Sequence, residues 1–417
     1  MTKKQYLINA IALSLLLNAP ISAYAANNGT EYNDVPEVGK KVYSHKYMDN
    51  GDVSGADLQI DTSITGTYDY YIVGGFTKQG TASGNKVTIN ADIIGAPTVG
   101  GYSMDGNATG NKVLMQSGST GSLISGGMSY KGDASYNEVT ISGGSLSNNT
   151  MIAGGASNIG EASHNIVNIT SDITSENVYI IGGSNGTGNV IDNTINISGT
   201  GTLKRGTITG SHIETRGDAK NNTINISGNI TFDKGTIFGG STDGGNISDN
   251  KVTISSGNFT NGSIIYGGFT QDGNVINNSI TIEGTAILAD DTEIGGGMSG
   301  GLNADFRTGN TLNIYRSGVS IKKADNFQNY DLAIDPNNTT LTVKENLTLL
   351  AGDQIYSSRV LADMNVGDTA TLLASAGTLD ISNATLVNGK AQQGILYLYG
   401  YELVEENGKL VVKITSK

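Results

Sequence analysis

Cysteine is missing from all 417 residues, so neither disulfides nor thiolate metal centres hold this chain together. Tryptophan is missing too, and charged residues make up only 15%. After the first few residues no segment is apolar for the ~20 positions a membrane-spanning helix needs. Basic residues are scarce, 25 Lys and Arg against 38 Asp and Glu, for a net charge of −13. That balance argues against nucleic acid as a partner and against anionic membrane surfaces. Stability must therefore come from packing and backbone pairing.

Glycine is plentiful, at 59 residues, but it falls at fixed intervals, which excludes a flexible linker or a disordered chain. The first residues have a separate logic. Lys3 and Lys4 precede an apolar core, Ile11 to Leu17, and Ala23-Tyr24-Ala25 supplies small residues for cleavage. This order predicts a secretory signal peptide over 1–25, and hence an exported, water-soluble mature protein. Cleavage removes two lysines and no acid, moving the net charge from −13 to −15.

Gly-Gly begins at 74, 100, 126, 154, 182, 239, 267 and 295, with Gly210-Ser211 filling the gap, in steps of 26 to 29 residues. An asparagine follows each, opening an alternating apolar pair: Asn85, Asn111, Asn137, Asn165, Asn193, Asn222, Asn250, Asn278 and Asn310. Seven of the nine come 11 residues after their glycine, whereas Asn222 comes at 12 and Asn310 at 15. A further glycine stands five before the asparagine in every copy except the last, which has Asp305. Two marks locked in phase at this period indicate a solenoid. The segments within a unit are short, β-branched and alternating, and none holds the helical periodicity of 10 or more residues.

The expected fold is all-β, a right-handed parallel β-helix of about nine coils over 69–316. An N-terminal cap is expected over 26–68 and a strand-rich C-terminal cap over 317–417. Coils stack ~4.8 Å apart, so equivalent Val, Ile and Leu touch along the axis. The asparagines are expected to form a buried ladder, each carboxamide bonding to the coils on either side. The Gly-Gly corners are expected to allow positive φ and close approach of neighbouring turns.

The leader, the cysteine-free repeats and the closing stretches Val366-Gly367-Asp368-Thr369-Ala370-Thr371-Leu372-Leu373 and Tyr401-Glu402-Leu403-Val404 resemble the passenger domains of bacterial autotransporters, the pertactin-like β-helices. The likeness covers roughly residues 50 to 417. It implies display at the surface of, or release from, a Gram-negative bacterium, with a terminal segment that nucleates folding outside the cell. It also implies an outer-membrane barrel. The residues after Thr340 are too few for one, so the expectation is that the barrel is encoded elsewhere, as a separate translocator, or lost, or that the protein is released.

Parallel β-helices also carry polysaccharide lyases and hydrolases, which need several carboxylates converging on one face. Asp290-Asp291 is the only adjacent aspartate pair and reads as a turn, and Asp363 and Asp380 lack an accompanying base. His45, His164 and His212 fall in different units and predict no metal site. The stretch Gly239 to Ser248 lacks the tandem pattern of calcium-binding nonapeptides. No cofactor, catalytic residue or metal is expected.

Arg216-Gly217-Asp218 is a possible integrin-type adhesive motif, although Gly217 is the glycine that eight coils share. Phe76, Tyr102 and Phe269 each follow a Gly-Gly and could share a surface, although a packing role is the expectation for them. The functional expectation is a non-enzymatic, adhesin-like scaffold whose partner is a receptor or glycan on a host or neighbouring cell. A polysaccharide-active enzyme on the same scaffold is the alternative.

Overall fold

The computed structural model describes residues 28–35, 40–66, 70–395 and 397–417. The expected signal peptide, residues 1–25, lies outside them. Among the described residues every regular element is a strand, and no helix is long and apolar enough to cross a membrane. Segments such as Thr194–Ile197 and Thr223–Ile226 bury every second residue, and they stack in parallel register into a β-solenoid.

The face that carries these segments holds thirteen strands in unbroken order, from Asp57–Ile60 to Thr385–Leu386. About twelve turns result, against the nine expected from the repeat. One extra strand lies below the marked coils. Three lie above them, at Asn329–Leu332, Gln354–Tyr356 and Thr385–Leu386. The residues expected to cap the first coil thus include a coil themselves. Its strand Lys40–Asn50 aligns Ser44 with Val73 and Lys46 with Gly75, so His45-Lys46 stands in place of Gly-Gly. Ala56 stands in place of the ladder asparagine.

Antiparallel strands close both ends. Thr30–Val35 runs against Lys40–Asn50. At the far end Thr369–Ser375 takes Lys409–Ser416 as an antiparallel neighbour, followed by Tyr397–Glu406 and Gly389–Gln393. Such closure blunts the open edge of a parallel stack. Inside, each coil adds one rung to continuous files, such as Val87, Val113, Val139, Val167, Ile195, Ile224, Val252 and Ile280, all buried. Burying a side chain of this size is worth ~1.5–3 kcal/mol, and the stack gains it at every rung.

All nine ladder asparagines are fully buried. Asn111 is typical. Its Oδ1 accepts from the backbone N–H and the Nδ2 of Asn85 at 3.0 and 2.9 Å. Its Nδ2 donates to the carbonyl of Ala82 at 2.9 Å and to Oδ1 of Asn137 at 3.0 Å. Two lone pairs and two N–H bonds are thereby all used. The bottom of the ladder is satisfied by Ala56, whose N–H reaches Oδ1 of Asn85 at 3.0 Å.

The paired glycines have a different cause from the one expected. None adopts positive φ. A Cβ on Gly155 would sit 2.3 Å from Oδ1 of Asn165, and one on Gly154 would sit 2.5 Å from the carbonyl oxygen of Gly182. The pair therefore makes room for the carboxamide and for the next coil's backbone. The left-handed corner falls on the residue before each asparagine: Gly84, Gly110, Tyr136, His164, Asp192, Asn221, Asp249, Asn277 and Gly309 all have φ between 56° and 69°. Register also moves the last pair. Gly295 aligns with Tyr266, so Gly296-Gly297 is the pair of that coil.

Two outcomes follow for urea denaturation. Asn165→Ala removes four bonds from a buried row and should cost about 2–4 kcal/mol. Gly155→Ala should cost about 1–3 kcal/mol by overpacking, but less when Asn165→Ala is already present, because the obstructing oxygen is gone. Strict additivity of the two would contradict this packing.

Candidate functional site

The strand Tyr70–Gln79 buries every residue from Tyr70 to Thr77, more than one face of a straight strand can offer. Ile72 belongs to the central core, whereas Tyr71, Val73 and Phe76 belong to a separate apolar cluster with Val42, Val99, Tyr102 and Met104. On a straight strand positions 73 and 76 point to opposite faces. Both join the outer cluster because the strand bends at Gly74-Gly75 and its two limbs close toward each other on the outside of the rod.

The same bend recurs coil after coil and makes a lengthwise groove, which the chain's own side chains fill. Its floor is the file Val73, Val99, Ser125, Ala153, Ile181, Thr209, Phe238 and Tyr266. One wall carries Leu123, Met151, Tyr179, Thr207, Thr236 and Ile264. The other carries Phe76, Tyr102, Met128, Ala156, Ser184, His212, Ser241 and Phe269. Rings meet across it: Tyr71 with Tyr102 at 5.7 Å, Tyr179 with His212 at 6.0 Å, and Phe238 with Phe269 at 5.7 Å. Phe76, Tyr102 and Phe269 thus do share one row.

Across these files no Asp, Glu, Lys or Arg occurs. Charge returns only at the far end, where Glu293, Lys323 and Asp325 continue the rows. Burial is the main cause that holds the His212 imidazole below its ordinary 6.5, and Glu214 and Asp243 pull weakly the other way.

The Arg216-Gly217-Asp218 corner lies at the end of Thr207–Arg216, where a bulge interrupts the register between Ile213 and Arg216. That bulge accounts for the extra residue before Asn222. Arg216 and Asp218 are exposed. Gly217 packs so close to the coil below that a Cβ would sit 2.2 Å from the carbonyl oxygen of Gly188. Asp218 is a rung of a second, surface ladder. Its N–H donates to Oδ1 of Asn189 at 2.9 Å, and its own Oδ1 accepts from the N–H of Asn246 at 2.8 Å. Asp133 and Asn246 do the same for Glu161 and Asn274.

The remaining candidates disperse. His45 accepts a bond from the N–H of Asp57, His164 stacks on Tyr136 near Asp192, and His212 sits in the groove. Asp290-Asp291 occupies a turn, and Asp290 pairs with Lys344 at 2.9 Å. The nearby Ser320 hydroxyl is the first cause holding the Asp290 carboxyl low, and Lys344 adds to it. Asp363 is paired with Lys417 and Tyr399, and Asp380 accepts from Ser382 in its own turn.

One cluster had no signal in the sequence. Asp331 is buried, with Oδ2 accepting from Tyr315 at 2.8 Å and from the Ser358 hydroxyl at 2.6 Å, and Oδ1 accepting from the Ser358 N–H at 2.8 Å. Arg359 lies 3.7 Å over the Tyr315 ring. Burial, more than Asp331, pushes the Tyr315 hydroxyl up to about 12. Three protein donors hold the carboxylate, so the cluster stitches the upper coils together. Its members lie 16 and 27 residues from Asp331 in no recognisable pattern.

No protein-family model matches the chain, and no curated protein matches it.

His212 yields a pH prediction. Its folded value is depressed, so the stability it contributes is complete above about pH 6.5, the unfolded value. It is lost progressively as pH falls below that, since the unfolded chain takes up the proton more readily. Melting wild type and His212→Ser at pH 7.5 and 5.5 checks this; Ser184 and Ser241 occupy the flanking rungs. Wild type should lose more stability on acidification, and equal losses would contradict the assignment.

Proposed function

We propose that the chain is an exported, non-enzymatic binding scaffold of the autotransporter-passenger type, working at or beyond the surface of a Gram-negative bacterium. The observation that carries this reading is the groove: about eight rungs of aromatic, aliphatic and hydroxyl side chains without an ionised group, on a chain of net charge −13. Its walls are half-buried from Leu123 to Ile264 and still present a row of uncharged side chains to the outside. The leader over 1–25 supports export. The absence of cysteine suits a chain that crosses a pore unfolded and folds afterwards. The partner in this reading is a receptor or glycan of a host or neighbouring cell.

The Arg-Gly-Asp corner plays little part in this reading. One carboxylate oxygen of Asp218 already belongs to the surface ladder, whereas integrin-type recognition needs the group free to reach a cation.

Attachment assays test the proposal. Bacteria that display the chain, verified by surface labelling, should adhere to epithelial or sister cells several-fold better than bacteria without it. Asp218→Glu should leave that adhesion unchanged. Equal adhesion with and without displayed chain would contradict the scaffold reading, and loss of adhesion in Asp218→Glu would return the role to the tripeptide. Deleting residues 1–25 should keep the chain inside the cell.

A further inference from the structure

We infer that the closing hairpin, Gly389–Gln393 with Tyr397–Glu406, carries an apex that inserts into the interfacial layer of a zwitterionic lipid bilayer; this goes beyond the binding-scaffold reading and stands without it. The apex arises from a mismatch of strand ends. Lys409–Ser416 accompanies the hairpin only as far as Ser416 opposite Gly400, and on the other edge the bridge to Arg359 stops at Gln392. Past those points the hairpin pairs only with itself, Gln392 with Leu398 and Gln393 with Tyr397, and Gly394 turns it at a φ of 58°. The stretch Gln392-Gln393-Gly394-Ile395-Leu396-Tyr397-Leu398 holds no charge.

Ile395 is 92% exposed, Tyr397 48% and Leu398 50%. Successive strand residues point to opposite faces, so the hairpin shows apolar surface on both. Leu361 and Val366, also exposed, stand at its base, in the segment whose Met364 N–H and Asp363 carboxylate meet the Tyr399 hydroxyl.

Shape, size and charge select the occupant. A flat partner covers one face of a hairpin, whereas an apolar medium surrounds both. A stable interface between proteins takes about 20–30 residues a side, and here five exposed apolar side chains are offered, so a second copy gains too little. Partition into lipid has no such threshold, because each apolar side chain contributes separately. At the foot of the apex the Lys417 Nζ lies 4.9 Å from the centre of the Tyr397 ring and pairs with Asp363. Tyr and Lys beside an apolar tip are the residues that settle at headgroup level. Three residues of strand, from Gln392 to Ile395, reach ~10 Å, the depth of that layer. The net charge of −13 opposes anionic headgroups, which leaves zwitterionic lipid.

The test uses residues 26–417, without the apolar leader that would bind lipid by itself. The chain has no tryptophan, so Ile395→Trp reports from the apex alone, with Leu302→Trp, at the tip of an equally exposed excursion, as its control. On phosphatidylcholine vesicles the Ile395→Trp emission should move to the blue and be quenched by brominated acyl chains, and the Leu302→Trp emission should do neither. Wild type should float with the same vesicles, and Ile395→Asn with Leu398→Asn should weaken that partition at least about tenfold, the loss of one buried aliphatic side chain. Both positions are exposed, so the variant should melt as wild type does. The inference is overturned if wild type does not float, if it floats only on vesicles containing phosphatidylglycerol, or if the double variant floats equally well. It is also overturned if both tryptophans respond alike, or if sedimentation shows a dimer that the double variant loses, since the apex would then pair with a second copy.

Discussion

A carboxamide buried on the axis of a stack permits no error of register. Each ladder asparagine must receive two donors from the coil below and give one hydrogen to the coil above, as Asn111 does between Asn85 and Asn137. A slip of one residue would strand four polar atoms in an apolar interior, each costing about 1–3 kcal/mol. The ladder therefore fixes where every coil begins, and variation in coil length is pushed elsewhere. The extra residue before Asn222 becomes the bulge near Arg216. The longer approach to Asn310 becomes a surface excursion over residues 300–309, with Leu302 fully exposed at its tip.

The same ladder explains the outside of the molecule. The carboxamide needs a neighbour without a Cβ, and the glycine that supplies it also lets the strand bend. The bend brings positions 73 and 76 and their equivalents together on the outer face, so the groove is a geometric by-product of the interior. Coil after coil, apolar and hydroxyl side chains fill it. Because the backbone is consumed by stacking, only side chains in rows are left to face outward.

The middle of the rod was legible because its two marks are chemically irreplaceable. Only asparagine has two donors and two lone pairs at that reach, and only glycine has no Cβ. The ends were not legible. Ala56 can end the ladder with nothing more than its N–H, and His45 and Lys46 can stand where no ladder asparagine lies behind them, so the lowest coil carries no mark. The left-handed corner escaped notice because Tyr136, His164, Asp192 and Asn221 all accept it, with no shared side-chain chemistry to betray it. Phe76, Tyr102 and Phe269 were recognised as a row, but the groove needs the floor positions three residues earlier. Their outward direction depends on a bend that alternation alone does not predict. Asp331, Tyr315 and Ser358 meet only through stacking.

Stability in such a rod is close to a sum over neighbours, so each coil holds the next and nothing holds the whole. In-register stacking along a single axis is thus the central claim, and the cysteine-free chain allows a direct test of it. Spin labels on paired cysteines at Lys86 and Lys251, Lys112 and Lys251, and Lys86 and Thr311 would span six, five and eight rungs of one file. Dipolar distances should rise in proportion, near 29, 24 and 38 Å at ~4.8 Å per rung before allowance for the label arms. Distances that do not order with the number of rungs would contradict the stack, and the groove would go with it.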